Sequence, residues 1–195
     1  MLWYANRGSG VVLIAMFTLS TALGIVATVR AGSARWPRFA TQALHRNVSL
    51  ISVGLLLIHV TVAVLDSFVD LTWLDILVPL QGNYAAKHRV GLFLGSAAFD
   101  LLAVVVLTSL FRHRMGHRFW RTIHLLSYVC WGAGLWHGIV LGTDTSTIWD
   151  LAVTWISVAL VAGAVLVRIA TWAHERRLAA DALPLTTPDA TGSVL

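Results

Sequence analysis

The chain has 195 residues, of which 57% are hydrophobic and only 12% are charged. Soluble domains typically carry about 25% charged residues, so the composition excludes an ordinary soluble globular protein. A formal net charge of +5 would indicate nucleic-acid binding in a soluble protein. In a membrane protein a basic excess follows from topology, and we expect no nucleic-acid partner.

Five apolar runs are long enough to cross a bilayer as helices, which takes about 20 residues each. They cover residues 11–29, 47–65, 90–111, 122–143 and 151–172. Three contain no charged residue, whereas Asp100 interrupts the third and Arg168 lies near the end of the fifth, where it can reach the interface. The sequence therefore predicts an all-α integral membrane protein, a five-helix transmembrane bundle in contact with lipid.

The predicted membrane domain covers residues 1–172. Its first run is too long for a signal peptide and a basic loop follows it, so we expect it to remain as a span. Residues 173–195 are polar and contain proline, which predicts a disordered cytoplasmic tail. The short apolar segment LTWLDILVPL (71–80) is predicted to be an interfacial or re-entrant segment over the outer face.

Basic residues are distributed unevenly over the loops. Eleven of the fourteen Lys and Arg residues fall in the loops 30–46 and 112–121 and towards the C-terminus. The opposite side has Arg7, Lys87 and Arg89. Because cytoplasmic loops carry the basic excess, the sequence predicts a multi-pass protein of the cell (inner or plasma) membrane. Its N-terminus lies outside and its C-terminus lies in the cytoplasm.

Two of the spans carry a pair of histidines. The segment LHRNVSLISVGLLLIHV contains His45 and His59, fourteen positions apart. In the fourth span, IHLLSYVCWGAGLWHG contains His124 and His137. The second and fourth spans run in the same direction, so His45 shares a depth with His124 near the inner end. His59 shares a depth with His137 in the outer half.

Helix geometry supports this pairing on one span better than on the other. Fourteen residues rise about 21 Å and return a side chain to within about 40° of its starting face, so His45 and His59 can face one partner helix. Thirteen steps leave His124 and His137 about 140° apart. The fourth span must therefore be tightened, kinked or steeply crossed, and Gly132 and Gly134 lie in that interval.

Imidazoles within a membrane are costly unless they have a partner, and they indicate function. A porphyrin iron offers two axial positions, and histidine is a common axial ligand. Two histidine pairs on facing helices therefore predict two stacked b-type haems, held by His45 with His124 and by His59 with His137. Other interpretations remain open: hydrogen-bonded core histidines, a proton relay, or a transition-metal transporter.

Further residues are candidates for supporting roles. Arg46 and Arg121 lie at the expected level of the inner haem, where they can pair with haem propionates or act only as positive-inside residues. Asp100 needs a polar partner because of its depth, and its role stays open. His113 and His117 have a spacing that can hold a metal, but the arginine-rich loop around them lacks acidic residues, so we expect ordinary loop residues.

The paired spacing resembles that of the ferric reductase-like transmembrane domain, the haem-binding membrane core of ferric reductases and NADPH oxidases. The resemblance covers residues 8–172 and rests on His-x13-His in the second span and His-x12-His in the fourth. The words LHR at 44–46 and LWHG at 135–138 agree with it. The same unequal spacing recurs in that family.

The resemblance implies transmembrane electron transfer by the membrane haem subunit of an oxidoreductase. Full-length oxidases have six spans and a cytoplasmic region for FAD and NADPH, whereas this sequence has five spans and no dinucleotide fingerprint. We therefore expect the flavin on a separate partner, as in small bacterial members of the family. No catalytic residue is predicted.

The expected donor is a separate flavoprotein or a quinol on the cytoplasmic side. The expected acceptor is extracytoplasmic: ferric iron, oxygen or a partner reductase. Two alternative functions remain: a haem-free transporter that uses its histidines for protons or metal, and a membrane anchor for a redox partner.

Overall fold

The structure is a computed structural model that describes residues 2–29, 37–66, 71–79, 84 and 86–181. Within these residues it is all-helical, without strands. The helices are α1 (Leu2–Thr28), α2 (Arg38–Leu65), α3 (Trp73–Leu77), α4 (Ala86–Leu110), α5 (His117–His124), α6 (Leu126–Leu141) and α7 (Ile148–Asp181), with a 3-10 turn at Arg112–Arg114. The predicted all-α class is confirmed.

Five helical stretches are long and apolar enough to cross a membrane, as predicted. They are α1, most of α2, most of α4, α5 together with α6, and α7. Most reach beyond the predicted apolar runs. The 27 residues of α1 correspond to about 40 Å of helix, which is close to the thickness of a bilayer with its headgroups, about 40–45 Å.

The last helix corrects the predicted start of the polar tail. Helix α7 continues to Asp181, so residues 173–181 are helical and the prediction of disorder was wrong for them. This stretch contains Arg, Glu, Leu and Ala, all good helix formers, and it extends a helix that is already formed. The rest of the predicted tail lies outside the described residues.

The bundle is built from two helical hairpins. Helix α1 packs along α2 and α4 packs along α6, while α1 also contacts α6 and α7. Small or polar side chains link the helices, as is common in membrane proteins. The Ser20 and Ser49 hydroxyls lie 2.7 Å apart, and the Trp131 indole donates to Thr18 at 3.0 Å. In the described chain α2 and α6 do not pack along each other.

The predicted interfacial segment forms the short helix α3 at its centre. Thr72 and Asp75 form a capping box at its start, and hydrogen bonds from Thr72 hold the pKa of Asp75 below its usual value. Trp73, Leu74 and Leu77 are exposed. An exposed apolar surface next to the spans agrees with a position at the membrane interface, and residue 80 lies outside the described residues.

Arg168 stabilises the end of α1 across the bundle. Its guanidinium donates to the Thr28 carbonyl at 2.6 Å, where a helix C-terminus has unsatisfied carbonyls and a partial negative charge. We expect Arg168→Ala to lower the free energy of unfolding by about 1 kcal/mol, because the exposed position weakens a charged hydrogen bond. Thermal unfolding of the purified protein measures this. Arg177→Ala, also in α7, is the control, and equal melting temperatures of the two variants would contradict the assignment.

Candidate functional site

The four span histidines form two pairs between the hairpins. His45 on α2 and His124 at the end of α5 have ring centroids 6.2 Å apart, and we name them the basic-end pair after the nearby arginines. His59 on α2 and His137 on α6 have centroids 6.5 Å apart and form the far-end pair. All four residues are partly buried. The structure thus brings together the residues that the sequence paired.

The separation within each pair matches that of two imidazoles on one metal. A metal–nitrogen bond of about 2.0 Å on each side, plus about 1.2 Å from nitrogen to ring centre, gives about 6.4 Å between centroids. The observed 6.2 and 6.5 Å lie on either side of this value. The ring planes cross at 77° and 87°, so the two imidazoles of a pair do not stack on each other.

Hydrogen bonds fix the tautomer of three of these imidazoles. Nδ1 of His45 lies 2.9 Å from the Ser20 carbonyl, and Nδ1 of His137 lies 2.7 Å from the Gly91 carbonyl. Nδ1 of His59 lies 3.1 Å from the Asn6 carbonyl. A carbonyl only accepts, so each Nδ1 carries the proton and donates it. The neutral ring then keeps the Nε2 lone pair for a ligand bond, the usual arrangement of metal-bound histidine.

The fourth imidazole, His124, has a hydroxyl as its partner. Its Nδ1 lies 3.3 Å from the Ser109 Oγ on α4. The Ser109 hydroxyl donates to the Val105 carbonyl at 2.7 Å, so its oxygen is left to accept from His124. The Trp120 ring also packs on His124, with centroids 5.0 Å apart. His124 is therefore oriented in the same sense as the other three.

Small residues on α1 and α4 make room for the rings. A Cβ added to Gly10 would lie 3.2 Å from the His59 ring, and one added to Gly24 would lie 3.2 Å from the His45 ring. On Gly95 it would lie only 2.5 Å from Nδ1 of His137. Ser109 occupies the corresponding place beside His124. Glycine permits close approach of a neighbouring group, so α1 and α4 act as supports for the histidine helices.

The two hairpins repeat one pattern. Gly10 and Gly24 lie fourteen positions apart on α1, and Gly95 and Ser109 lie fourteen positions apart on α4. In each hairpin the supporting helix is followed by a span that carries two histidines: α2 in the first hairpin, and α5 together with α6 in the second. The carbonyls that accept from His59, His45 and His137 come four residues before the supporting glycine in every case.

The fourth span is tightened at Leu125. Helix α5 ends at His124 and α6 begins at Leu126, while the Leu125 N–H lies near the carbonyls of Arg121 and Thr122. This break directly after His124 changes the rotation between the two histidines of the span. Gly132 and Gly134 lie further along, within the uninterrupted helix α6.

Among the described residues, the potential metal ligands that converge at each level are two histidines. In the described residues no three His, Cys, Asp or Glu side chains come together in a group that could hold a metal ion. A protein site for zinc takes at least three such ligands. Two facing imidazoles instead suit a metal that brings its other four ligands with it, as the iron of a porphyrin does.

A family model matches residues 1–144, which include both histidine pairs and end before α7. The chain belongs to the DUF8596 family, a domain of unknown function. No curated protein and no solved structure matches the chain. The DUF8596 match thus contains α1 to α6, the part of the bundle that builds both pairs, and α7 packs on it through α1.

The other predicted residues of the DUF8596 domain lie on α2, α4 and α5. Arg46 directly follows His45 on α2, and Arg121 comes three residues before His124 on α5; both are exposed. Their role towards a haem stays a prediction. Asp100 is partly exposed at the middle of α4.

The loop histidines lie outside both pairs. His113 and His117 are exposed and line an open cavity of about 360 Å³, together with Arg112, Met115 and Trp120. Acidic and cysteine side chains are absent from this lining. The interpretation of the two histidines as ordinary loop residues stays a prediction.

The supporting positions on α1 and α4 were not identified from the sequence. Glycine is frequent in transmembrane helices, so a single glycine in an apolar run does not indicate a supporting position. A usable signal existed nonetheless: the spacing of fourteen between Gly10 and Gly24, and between Gly95 and Ser109, equals the spacing between His45 and His59. This interval indicates that supporting residues lie at the same two levels as the histidines. It does not assign each supporting helix to its partner, because His124 and His137, which α4 supports, lie thirteen positions apart.

Proposed function

We propose that this protein is a membrane haem protein that transfers electrons across the bilayer through two b-type haems. The observation that carries the proposal is the pairing of four imidazoles at two levels, with centroid separations of 6.2 and 6.5 Å. Hydrogen bonding at Nδ1 supports it, since it leaves Nε2 of each ring for a ligand bond. Each haem, when bound, takes up and releases one electron at a time.

The side chains have distinct tasks in this proposal. His45 and His124 hold one haem and His59 and His137 the other, at levels about 21 Å apart along α2. Gly10, Gly24, Gly95 and Ser109 allow the rings to approach the supporting helices. Arg46 and Arg121 lie near enough in sequence to the basic-end pair to attract the carboxylates of its haem.

The proposed orientation places the basic-end pair on the cytoplasmic side of the cell membrane. Eleven of fourteen basic residues belong to that side. At the other end Arg7 forms an ion pair with Asp144 and lies over the rings of Trp3 and Trp149. The N-terminus is then outside and the C-terminus inside.

The electron donor in this proposal is a separate flavoprotein or a quinol, and the acceptor is ferric iron, oxygen or an extracytoplasmic reductase. The histidine spacing that resembles the ferric reductase-like transmembrane domain supports this class of reaction. The protein then acts as the membrane haem subunit of an oxidoreductase.

The test is a dithionite-reduced minus oxidised absorption spectrum of the detergent-purified protein, with pyridine haemochrome quantitation. We expect two b-type haems per chain, low-spin in both oxidation states because both axial positions of each iron are filled. Folded protein without haem, from cells with adequate haem supply, would reject the proposal. A haem-free transporter that uses the histidines for protons or metal would then be the leading alternative.

A further inference from the structure

The four imidazoles differ in what accepts their Nδ1 proton. His45, His59 and His137 each donate to a backbone carbonyl of a supporting helix, at 2.9, 3.1 and 2.7 Å. For His124 the acceptor is a side chain, the Ser109 hydroxyl, at 3.3 Å. A backbone carbonyl remains when a side chain is substituted, whereas a substitution of Ser109 can remove its hydroxyl. The acceptor for His124 in the basic-end pair can therefore be changed by a single substitution.

The Ser109 hydroxyl is the centre of a small hydrogen-bond network. It donates to the Val105 carbonyl at 2.7 Å and can accept from both His124 Nδ1 at 3.3 Å and the Trp120 indole at 3.4 Å. A hydroxyl has one proton and two lone pairs, so all of its capacity is used. The two donors share one oxygen, and each weakens the other's bond.

We propose that Ser109 and Trp120 are positioning residues that set the reduction potential of the basic-end haem independently of the far-end haem. The inference rests on the proposed function. A hydrogen bond from Nδ1 of a ligating histidine makes the ring a stronger electron donor to the metal, which favours ferric iron and lowers the potential. His124 shares its acceptor with Trp120, so it receives less of this effect than the three rings bonded to carbonyls.

Ser109→Ala tests the inference in the haem-loaded full chain. Loss of the acceptor weakens His124 as a donor, and we expect the ferrous form of the basic-end haem to be favoured by about tenfold. For a one-electron couple, a tenfold change corresponds to a rise of about 59 mV in the reduction potential of this haem. Trp120→Phe keeps a ring over His124 but removes the second donor to Ser109. We expect a smaller shift in the opposite direction, by about twofold.

Spectroelectrochemical titration measures the reduction potentials of both haems. A His59→Ala background, in which only the basic-end haem is expected, shows which potential belongs to which haem. Ser109→Thr retains a hydroxyl and is expected to restore the wild-type value. Ser9→Ala is the matched control at the far end. Ser9 Oγ lies 3.1 Å from His59 Nδ1, but that nitrogen also has the Asn6 carbonyl at 3.1 Å, so the far-end potential should stay unchanged.

The outcomes separate this inference from the function on which it rests. Wild-type protein that binds no haem would overturn both. Two bound haems with unshifted potentials in Ser109→Ala, or equal shifts at both levels, would overturn the inference alone. If Ser109→Ala protein does not bind the basic-end haem, the reduction potential of that haem in Ser109→Thr decides. A wild-type potential supports the role of the hydroxyl. A rise of the size expected for Ser109→Ala contradicts that role.

Discussion

His124→Ala is expected to remove the basic-end haem and to leave the far-end haem in place. Loss of one axial ligand leaves His45 as the single protein ligand at that level, and the 6.2 Å pairing of the rings is lost. The far-end pair, about 20 Å away along the bundle, keeps both of its ligands. Pyridine haemochrome quantitation should fall from two haems per chain to one, and His137→Ala should give the reciprocal result at the far end.

The first residue of the same helix, His117, offers a matched control for this prediction. His117 begins α5, two turns before His124, and is exposed. His117→Ala should retain two haems and an unchanged spectrum. Loss of both haems from folded His124→Ala protein would contradict two independent levels. Retention of both haems in His124→Ala would exclude this residue as a ligand.

The spans and the histidine pairs could be predicted from the sequence because each produces a strong local sequence pattern. An uninterrupted apolar run identifies a span, and an imidazole inside such a run is unusual. The direction of successive spans then places His45 at the level of His124. These inferences needed no knowledge of which helix touches which.

The supporting contacts were harder to predict because they depend on helix packing. That α1 packs along α2, and α4 along α6, decides that Gly24 lies against His45 and Gly95 against His137. The break at Leu125 was also missed. Leucine is a good helix former, so no breaker residue marks the position where the Leu125 N–H is shared between the carbonyls of Arg121 and Thr122. Local propensity pointed to the glycines further along instead.

Gly95→Ala is expected to displace the His137 ring and to weaken binding of the far-end haem by about 10- to 100-fold. The new Cβ would lie 2.5 Å from Nδ1 and 2.6 Å from Cε1 of His137, so the ring must move, and its 2.7 Å bond to the Gly91 carbonyl is lost. Alanine is itself a better helix former than glycine, by about 1 kcal/mol, so the loss should not come from unfolding of α4. Titration of the apo-protein with hemin measures the change in affinity.

Substitutions at two further glycines test whether the loss of haem affinity depends on how closely the new Cβ approaches a histidine ring. In Gly10→Ala the Cβ lies 3.2 Å from His59 Cε1, a contact that a small ring shift can relieve, so the loss of affinity should be smaller than in Gly95→Ala. Gly132→Ala on α6 meets nothing within 4 Å and should bind both haems as the wild type does. Equal affinities in all three variants would mean that the glycines do not position the histidines. A graded loss, largest at Gly95, would support α1 and α4 as the helices that hold the imidazole rings in place.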